Sequence, residues 1–182
     1  MQTLKSIEVA TATGKTKQIF DSLQKKLGTV PNITRVLANS PAALNAYASF
    51  SGALAEGTLP AKTREQIAIA VGNANSCDYC LSAHTALGAL AGLDATDLKL
   101  AQGAEASDAK TATALRFAVK VVRERGLLAA SEVDTLRSAG YTDGEVAEII
   151  GAVALNIFTN YFNHIAGTEI DFPVVHSTAT GL

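Results

Sequence analysis

Apolar residues recur at three- and four-residue intervals along almost the whole chain, the spacing of one helix face rather than of a strand. Lys15 to Leu27 carries Ile19, Phe20, Leu23 and Leu27 in one stripe, with Gly28 as a stop. Pro31 fits a first helical turn that runs on through Ile33, Val36 and Leu37. Ser40-Pro41 pairs an N-cap with a proline at the first helical position and predicts a helix to Gly57. Further helices are expected from about Pro60 to Ala74, from an N-cap at Ser76 to near Gly92, and from Asp94 to Gln102. Leu115, Ala118, Val119 and Val122 share one face of a long helix from Asp108 to Arg125. Ser131 is expected to cap a short helix ending at Gly140. Thr142 to Glu145 form a capping-box pattern opening a last long helix through about Ala166. The tail, DFPVVHSTATGL, lacks helical pattern and is expected to be frayed or pinned to a neighbour. No linker rich in Pro, Gly or Ser divides the chain, so residues 1–182 read as one all-α domain, a single helical bundle.

One internal echo stands out. Cys77, Cys80 and His84 follow Glu65 at offsets of 12, 15 and 19, and the same offsets from Glu145 reach Ile157, Asn160 and His164. TREQIAIAVG and TDGEVAEIIG run alongside. The pattern suggests a duplicated helix-break-helix unit whose second copy has no thiols.

Composition narrows the partners. A formal charge of -2 with scattered Lys and Arg argues against nucleic acid. The N-terminus lacks the basic start and apolar run of a signal peptide, and no window has about 18 consecutive apolar residues to span a membrane. A cytoplasmic location is the expectation, where a CxxC is more often redox-active or metal-binding than a structural staple. The chain is 48% hydrophobic, largely through small residues, and surplus apolar faces of that kind point to self-association.

The chemistry concentrates in SCDYCLSAH, residues 76–84, which holds the chain's two cysteines. With Ser76 at an N-cap, Cys77 takes the first helical position, Cys80 sits one turn on, and His84 touches Cys80 at i+4. A free thiol with pKa about 8.5 is mostly protonated at pH 7, and CxxC sites at helix starts shift it downward. His84 can accept the thiol proton or stabilise the thiolate. A second thiol can then attack a sulfenic acid formed on the first and close a disulfide that external electrons reopen. Those are the parts of a dithiol peroxidase or a disulfide reductase. Dipole reasoning alone favours Cys77 as the reactive sulfur, whereas contact with His84 favours Cys80.

Other readings compete. Cys77, Cys80, His84 and Glu65 could ligate zinc, but structural zinc takes four Cys or His ligands and no second pair of suitable spacing exists. Two small buried cysteines in a helical core is the bland alternative. Spacing alone makes Glu65 a solvated residue beside Lys62 and Arg64, against a carboxylate that reaches the dithiol. Tyr79 reads as packing or rim, Asn73 and Asn75 as residues of the helix break, Glu145 as the partner of Thr142, and His164 as a satisfied core or interface histidine.

REQIAIAVGNANSCDYCLSAHTALG, with Glu65, Cys77, Cys80 and His84 at separations of 12, 3 and 4, resembles the AhpD-like branch of the carboxymuconolactone decarboxylase family. VPNITRVLANSPAALNAY and ALNIFTNYFNHIAGTEIDFP are similar to stretches of the same branch, so the likeness covers about Val30 to Val175. It implies an all-helical fold, trimeric or hexameric assembly, and alkylhydroperoxidase chemistry on hydrogen peroxide or organic hydroperoxides. It implies Cys80 as the peroxidatic nucleophile, Cys77 as the resolving thiol, and Glu65 with His84 as a proton relay. A thioredoxin-like or lipoyl-bearing electron donor is implied and no cofactor or metal. A dithiol oxidoreductase or redox sensor acting on protein disulfides, and a metal-binding or structural oligomer, are the alternatives.

Overall fold

A computed structural model describes residues 2–179. Among them the chain forms nine α-helices and no strand: α1 Gly14–Leu27, α2 Asn32–Leu37, α3 Pro41–Ala55, α4 Ala61–Ala74, α5 Asp78–Leu90, α6 Ala95–Gln102, α7 Ala109–Arg123, α8 Ala130–Ser138 and α9 Asp143–Ala166. Local chemistry sets the ends. Ser40, Asp94, Asp108 and Thr142 each accept a backbone N–H with the side chain, and Thr142 with Glu145 completes the capping box. Gly28 and Gly167 stop α1 and α9 in the left-handed conformation that glycine adopts without strain.

α4 is the hub. Thr63, Gln66 and every residue from Ile67 to Asn73 are buried, so the helix presents no solvent face through that stretch. It packs against α5, α6, α7 and α9. One core cluster gathers Ile67, Ile69, Leu115, Leu136 and Ile149 around it. A second gathers Phe20, Ile33, Leu37 and Leu44 with Cys77, Tyr79 and Cys80. Adjacent residues of α5 join the two clusters, Leu81 in the first and Cys80 in the second. The dithiol therefore stands at a seam between two apolar masses.

Three expectations are corrected. Ala129, not Ser131, is the N-cap of α8, and Ser131 lies inside its first turn. The stretch after Glu145 is one unbroken helix, so the echo of Glu65 to His84 has no second break. The tail is not frayed through the described residues: it crosses α5 of its own chain, while residues 180–182 lie outside them. Asp171 accepts from the Tyr79 hydroxyl at 2.9 Å, Val175 N donates to Ser82 Oγ at 2.9 Å, and Ser177 N donates to Asp78 Oδ1 at 2.9 Å. No helix among the described residues is long and apolar enough to cross a membrane.

Tyr79 ties three elements together, since its hydroxyl also accepts from Ile33 N at the start of α2 and its ring meets Phe172 edge-on at 6.0 Å. Tyr79→Phe leaves the buried Ile33 N–H without its partner and is expected to destabilise the fold by about 1–3 kcal/mol. Urea unfolding reads the loss, and amide exchange across residues 171–179 should quicken; unchanged values in both would refute the tether.

Candidate active site

The break between α4 and α5 is a Schellman motif. Ser76 takes the left-handed position, φ 54°, that glycine usually fills; Ser76 N donates to Asn73 O at 3.0 Å and Cys77 N to Gly72 O at 2.9 Å. Ser76 is thus spent on ending α4, and Cys77 rather than Ser76 is the N-cap of α5. The Cys77 sulfur accepts the Cys80 amide at 3.4 Å, a geometry that places Cys80 in the first turn of α5 with its sulfur close to that of Cys77. Both thiols are free and buried, at 1% and 2% exposure.

His84 lies one turn beyond Cys80, and its Nδ1 meets Glu65 Oε2 of α4 at 2.8 Å. Arg64 turns away to donate to Leu59 O, so Glu65 faces His84 rather than a basic neighbour. From α9, Asn163 Nδ2 donates to Cys80 Sγ at 3.2 Å, and Thr159 Oγ1 lies 3.9 Å from the same sulfur. Asn75 of the break donates to Asn160 Oδ1 at 2.8 Å.

These contacts separate the two thiols electrostatically. Burial pushes the Cys80 thiol up, but the hydrogen bond from Cys77, the charge on His84 and the amide of Asn163 outweigh it, leaving a pKa of about 6. The bond to Cys80 and burial hold Cys77 well above the ordinary thiol range. Burial pulls His84 down, but the Glu65 carboxylate and Cys80 more than offset it, and the imidazole is net raised. Glu65, His84 and Cys80 thus form one charge sequence in which the contacts favour a protonated imidazole beside a Cys80 thiolate. The cysteine beside the histidine, rather than the one at the helix start, is the acidic one.

A pocket of about 70 Å³ opens onto this array. Cys80, His84, Thr159 and Tyr47 form its polar side, Leu23, Leu27, Ile33, Leu87 and Phe172 its apolar one, and Cys77 lies outside it. The sequence reading missed Tyr47 of α3, whose hydroxyl is pushed up to about 12 by burial and by its proximity to Cys80 and Glu65. It also missed the α9 amides, although Asn156, Asn160 and Asn163 continue the buried spacing of Val146, Ile149 and Val153 along one face. The remaining candidates take structural places. Asn73 Oδ1 accepts Thr178 N, Glu145 closes its capping box, and His164 stands exposed with Nε2 3.3 Å from Ser76 O. Among the described residues no group of three or more His, Cys, Asp or Glu is arranged to hold a metal ion.

The sequence model of the carboxymuconolactone decarboxylase family matches residues 41–124, the span from the start of α3 to the end of α7 that holds Glu65, Cys77, Cys80 and His84. A crystal structure described as an alkylhydroperoxidase AhpD core, a peroxidase-related protein of Ralstonia eutropha JMP134, superposes with a TM-score of 0.86 at 25% identity over 93% of this chain and 92% of that one. Residues 41–124 thus carry the sequence pattern of this family, and the chain has the AhpD-like fold. A peroxidase-related protein of Silicibacter sp. TM1040 is similar at 26% identity and TM-score 0.79, covering 93% of this AhpD-like chain and 94% of its own. The debrominase Bmp8, crystallised as a variant in complex with 2,3,4-tribromopyrrole, shares the fold at 18% identity and TM-score 0.80, over 94% and 92% of the two chains. None of the curated proteins compared matches the chain.

The charge sequence makes Glu65→Gln informative. Without the carboxylate, His84 loses its proton at lower pH, and the thiolate loses its cationic neighbour. Wild-type Cys80 alkylation is expected to be half-maximal near pH 6, falling below that as the thiolate protonates, and Glu65→Gln is expected to move the midpoint upward. Site-resolved mass spectrometry of the adduct reads it, and an unmoved midpoint would show that Glu65 does not act on the thiol.

Proposed function

We propose that the protein is a thiol peroxidase that reduces hydrogen peroxide or organic hydroperoxides through Cys80 and Cys77. The observation that carries this reading is that the one sulfur lining the pocket is also the one ionised near neutrality. The Cys80 thiolate attacks the distal peroxide oxygen, the O–O bond breaks, and His84 supplies a proton to the departing alkoxide: S⁻ + ROOH + H⁺ → S–OH + ROH. Glu65 holds the imidazole in place for that transfer. Cys80 is itself the largest cause keeping Cys77 protonated. Oxidising Cys80 removes that hold, so the resolving thiol becomes more acidic at the step that needs it. Cys77 then attacks the sulfenyl sulfur, a disulfide forms and water leaves.

Two electrons from outside reopen the disulfide, supplied in this scheme by a thioredoxin-like or lipoyl-bearing dithiol donor. A pocket of about 70 Å³ favours a small oxidant over another protein's disulfide as the substrate. Assembly into trimers or hexamers belongs to the same reading. Ile150, Phe158, Tyr161 and Ile165, between 42% and 73% exposed along α9, offer apolar surface for it, and sedimentation velocity showing only monomer would remove that part.

Peroxide consumption with a dithiol reductant tests the core. Wild type is expected to turn over, Cys80→Ser to be inactive, and Cys77→Ser to consume about one equivalent and stop at a sulfenic acid that dimedone traps. Equal consumption by wild type and Cys80→Ser would end the proposal.

A further inference from the structure

The buried face of α9 changes chemistry half-way along its length. Val146, Ile149 and Val153 occupy its core positions in the first half, and Asn156, Asn160 and Asn163 occupy them in the second. Core asparagines are tolerated when every amide atom is bonded. Asn156 donates to Ala152 O at 2.9 Å and has no fully buried amide atom without a partner. The others differ. Asn160 is 0% exposed and Asn163 4%, yet Asn160 Nδ2, Asn163 Oδ1 and Asn75 Oδ1 have no hydrogen-bond partner among the described residues. Two of these side chains, Asn163 and Asn160, adjoin the Cys80 sulfur, and Asn75 adjoins Asn160. Asn163 contacts Cys80 directly, and Asn75 fixes the orientation of Asn160 through its 2.8 Å bond. A leucine at 163 would fill the core with no unpaired amide atom of its own, so packing does not account for that amide, while Asn160 also serves as the acceptor for Asn75 Nδ2.

The unpartnered amide atoms are one N–H donor and two carbonyl acceptors. A sulfenic acid, S–O–H, has the complementary pair, an acceptor oxygen and a donor hydrogen. We propose that Asn163 and Asn160 form the oxygen-receiving wall of the dithiol, Asn163 holding Cys80 as its thiolate and the free N–H of Asn160 taking the oxygen that Cys80 acquires. The inference rests on the peroxidase reading for its second half, and on contact geometry alone for its first. In the reduced enzyme, Asn163 donates to the anionic sulfur. After transfer from ROOH, the new oxygen turns toward α9, accepts from Asn160 and donates to Asn163 Oδ1 or Asn75 Oδ1. That keeps the sulfenyl sulfur facing Cys77 until the disulfide closes and the oxygen leaves as water. Asn75 is a positioning residue in this scheme, acting through Asn160.

The charged and titratable groups around Cys80 are Cys77 and His84 at its own helix, Glu65 from α4 and Tyr47 from α3. α9 presents to Cys80 only the neutral Thr159, Asn160 and Asn163. A shift in Cys80 ionisation on changing Asn163 therefore reports a lost donor and not a lost charge.

Two measurements separate the steps. In the full chain, Asn163→Leu is expected to raise the alkylation midpoint of Cys80 by about one pH unit or more, since a donor to a charged sulfur is withdrawn; Asn163→Ala supplies the same reading if the leucine variant does not fold. In a Cys77→Ser background treated with hydrogen peroxide, adding Asn160→Leu is expected to lower the yield of dimedone-trapped sulfenic acid several-fold in favour of sulfinic acid, with the alkylation midpoint moved less than in Asn163→Leu. A melting temperature lowered with the midpoint and the adduct yield unchanged would make both residues structural and overturn the inference. If wild type consumes no peroxide while Asn163→Leu still raises the midpoint, the peroxidase reading falls and the thiolate contact stands. If wild type turns over and neither variant changes either readout, the inference alone falls.

Discussion

The Cys80 amide donates to the Cys77 sulfur, and the architecture of the site depends on that bond. A helix start needs a side-chain acceptor for its free amides, and here a thiol fills the place that a hydroxyl or carboxylate usually takes. It can do so because the preceding helix closes one residue earlier on Ser76 in the left-handed region. Cys77 is then both the last bonded residue of one helix and the cap of the next. The two sulfurs are held together by backbone geometry, with no loop between them to flex. The two helices lie close at Gly72, where a methyl group would meet Leu81 N at 3.4 Å and Cys80 Cβ at 3.6 Å in ordinary van der Waals contact.

Proximity alone would leave two equivalent thiols. The surroundings make them unequal, because every stabilising group converges on one of them. Glu65 comes from α4, His84 from α5 and Asn163 from α9, so three helices must be docked before Cys80 ionises. Cys77 receives a backbone amide only, and it faces the negative charge of its neighbour. The asymmetry is thus a property of tertiary packing, and the helix dipole, which acts on both sulfurs within one turn, has little power to choose between them.

This division explains what could be read from the chain and what could not. Helix ends governed by local chemistry were legible: Gly28, Ser40-Pro41 and Thr142 with Glu145 act within four residues of themselves. Ser76 and Ser131 looked like caps for the same reason, but a serine hydroxyl is only one contender for a helix start. The backbone of α4 claimed Ser76, and α8 began one residue before Ser131. Glu65 reached the site through its family resemblance, since spacing by itself pointed to solvent. The α9 amides carry a visible signal, polar residues continuing an apolar stripe, but periodicity marks a helix without marking where its buried face changes character. Tyr47 has no such signal: its place depends on how α3 meets α5, which no local pattern encodes.

α9 runs for 24 residues without a break, with a capping box at one end and the amides near the other. That continuity sets a limit on how this chain can vary over evolutionary time. A residue inserted into a loop between helices can be absorbed by the loop. One inserted between Ile149 and Asn156 would turn everything downstream by about 100° about the helix axis. Thr159, Asn160 and Asn163 would all leave the dithiol together, while Val146 and Ile149 stayed in the core. Lineages carrying this site should therefore gain and lose residues freely around α8 and almost never within α9.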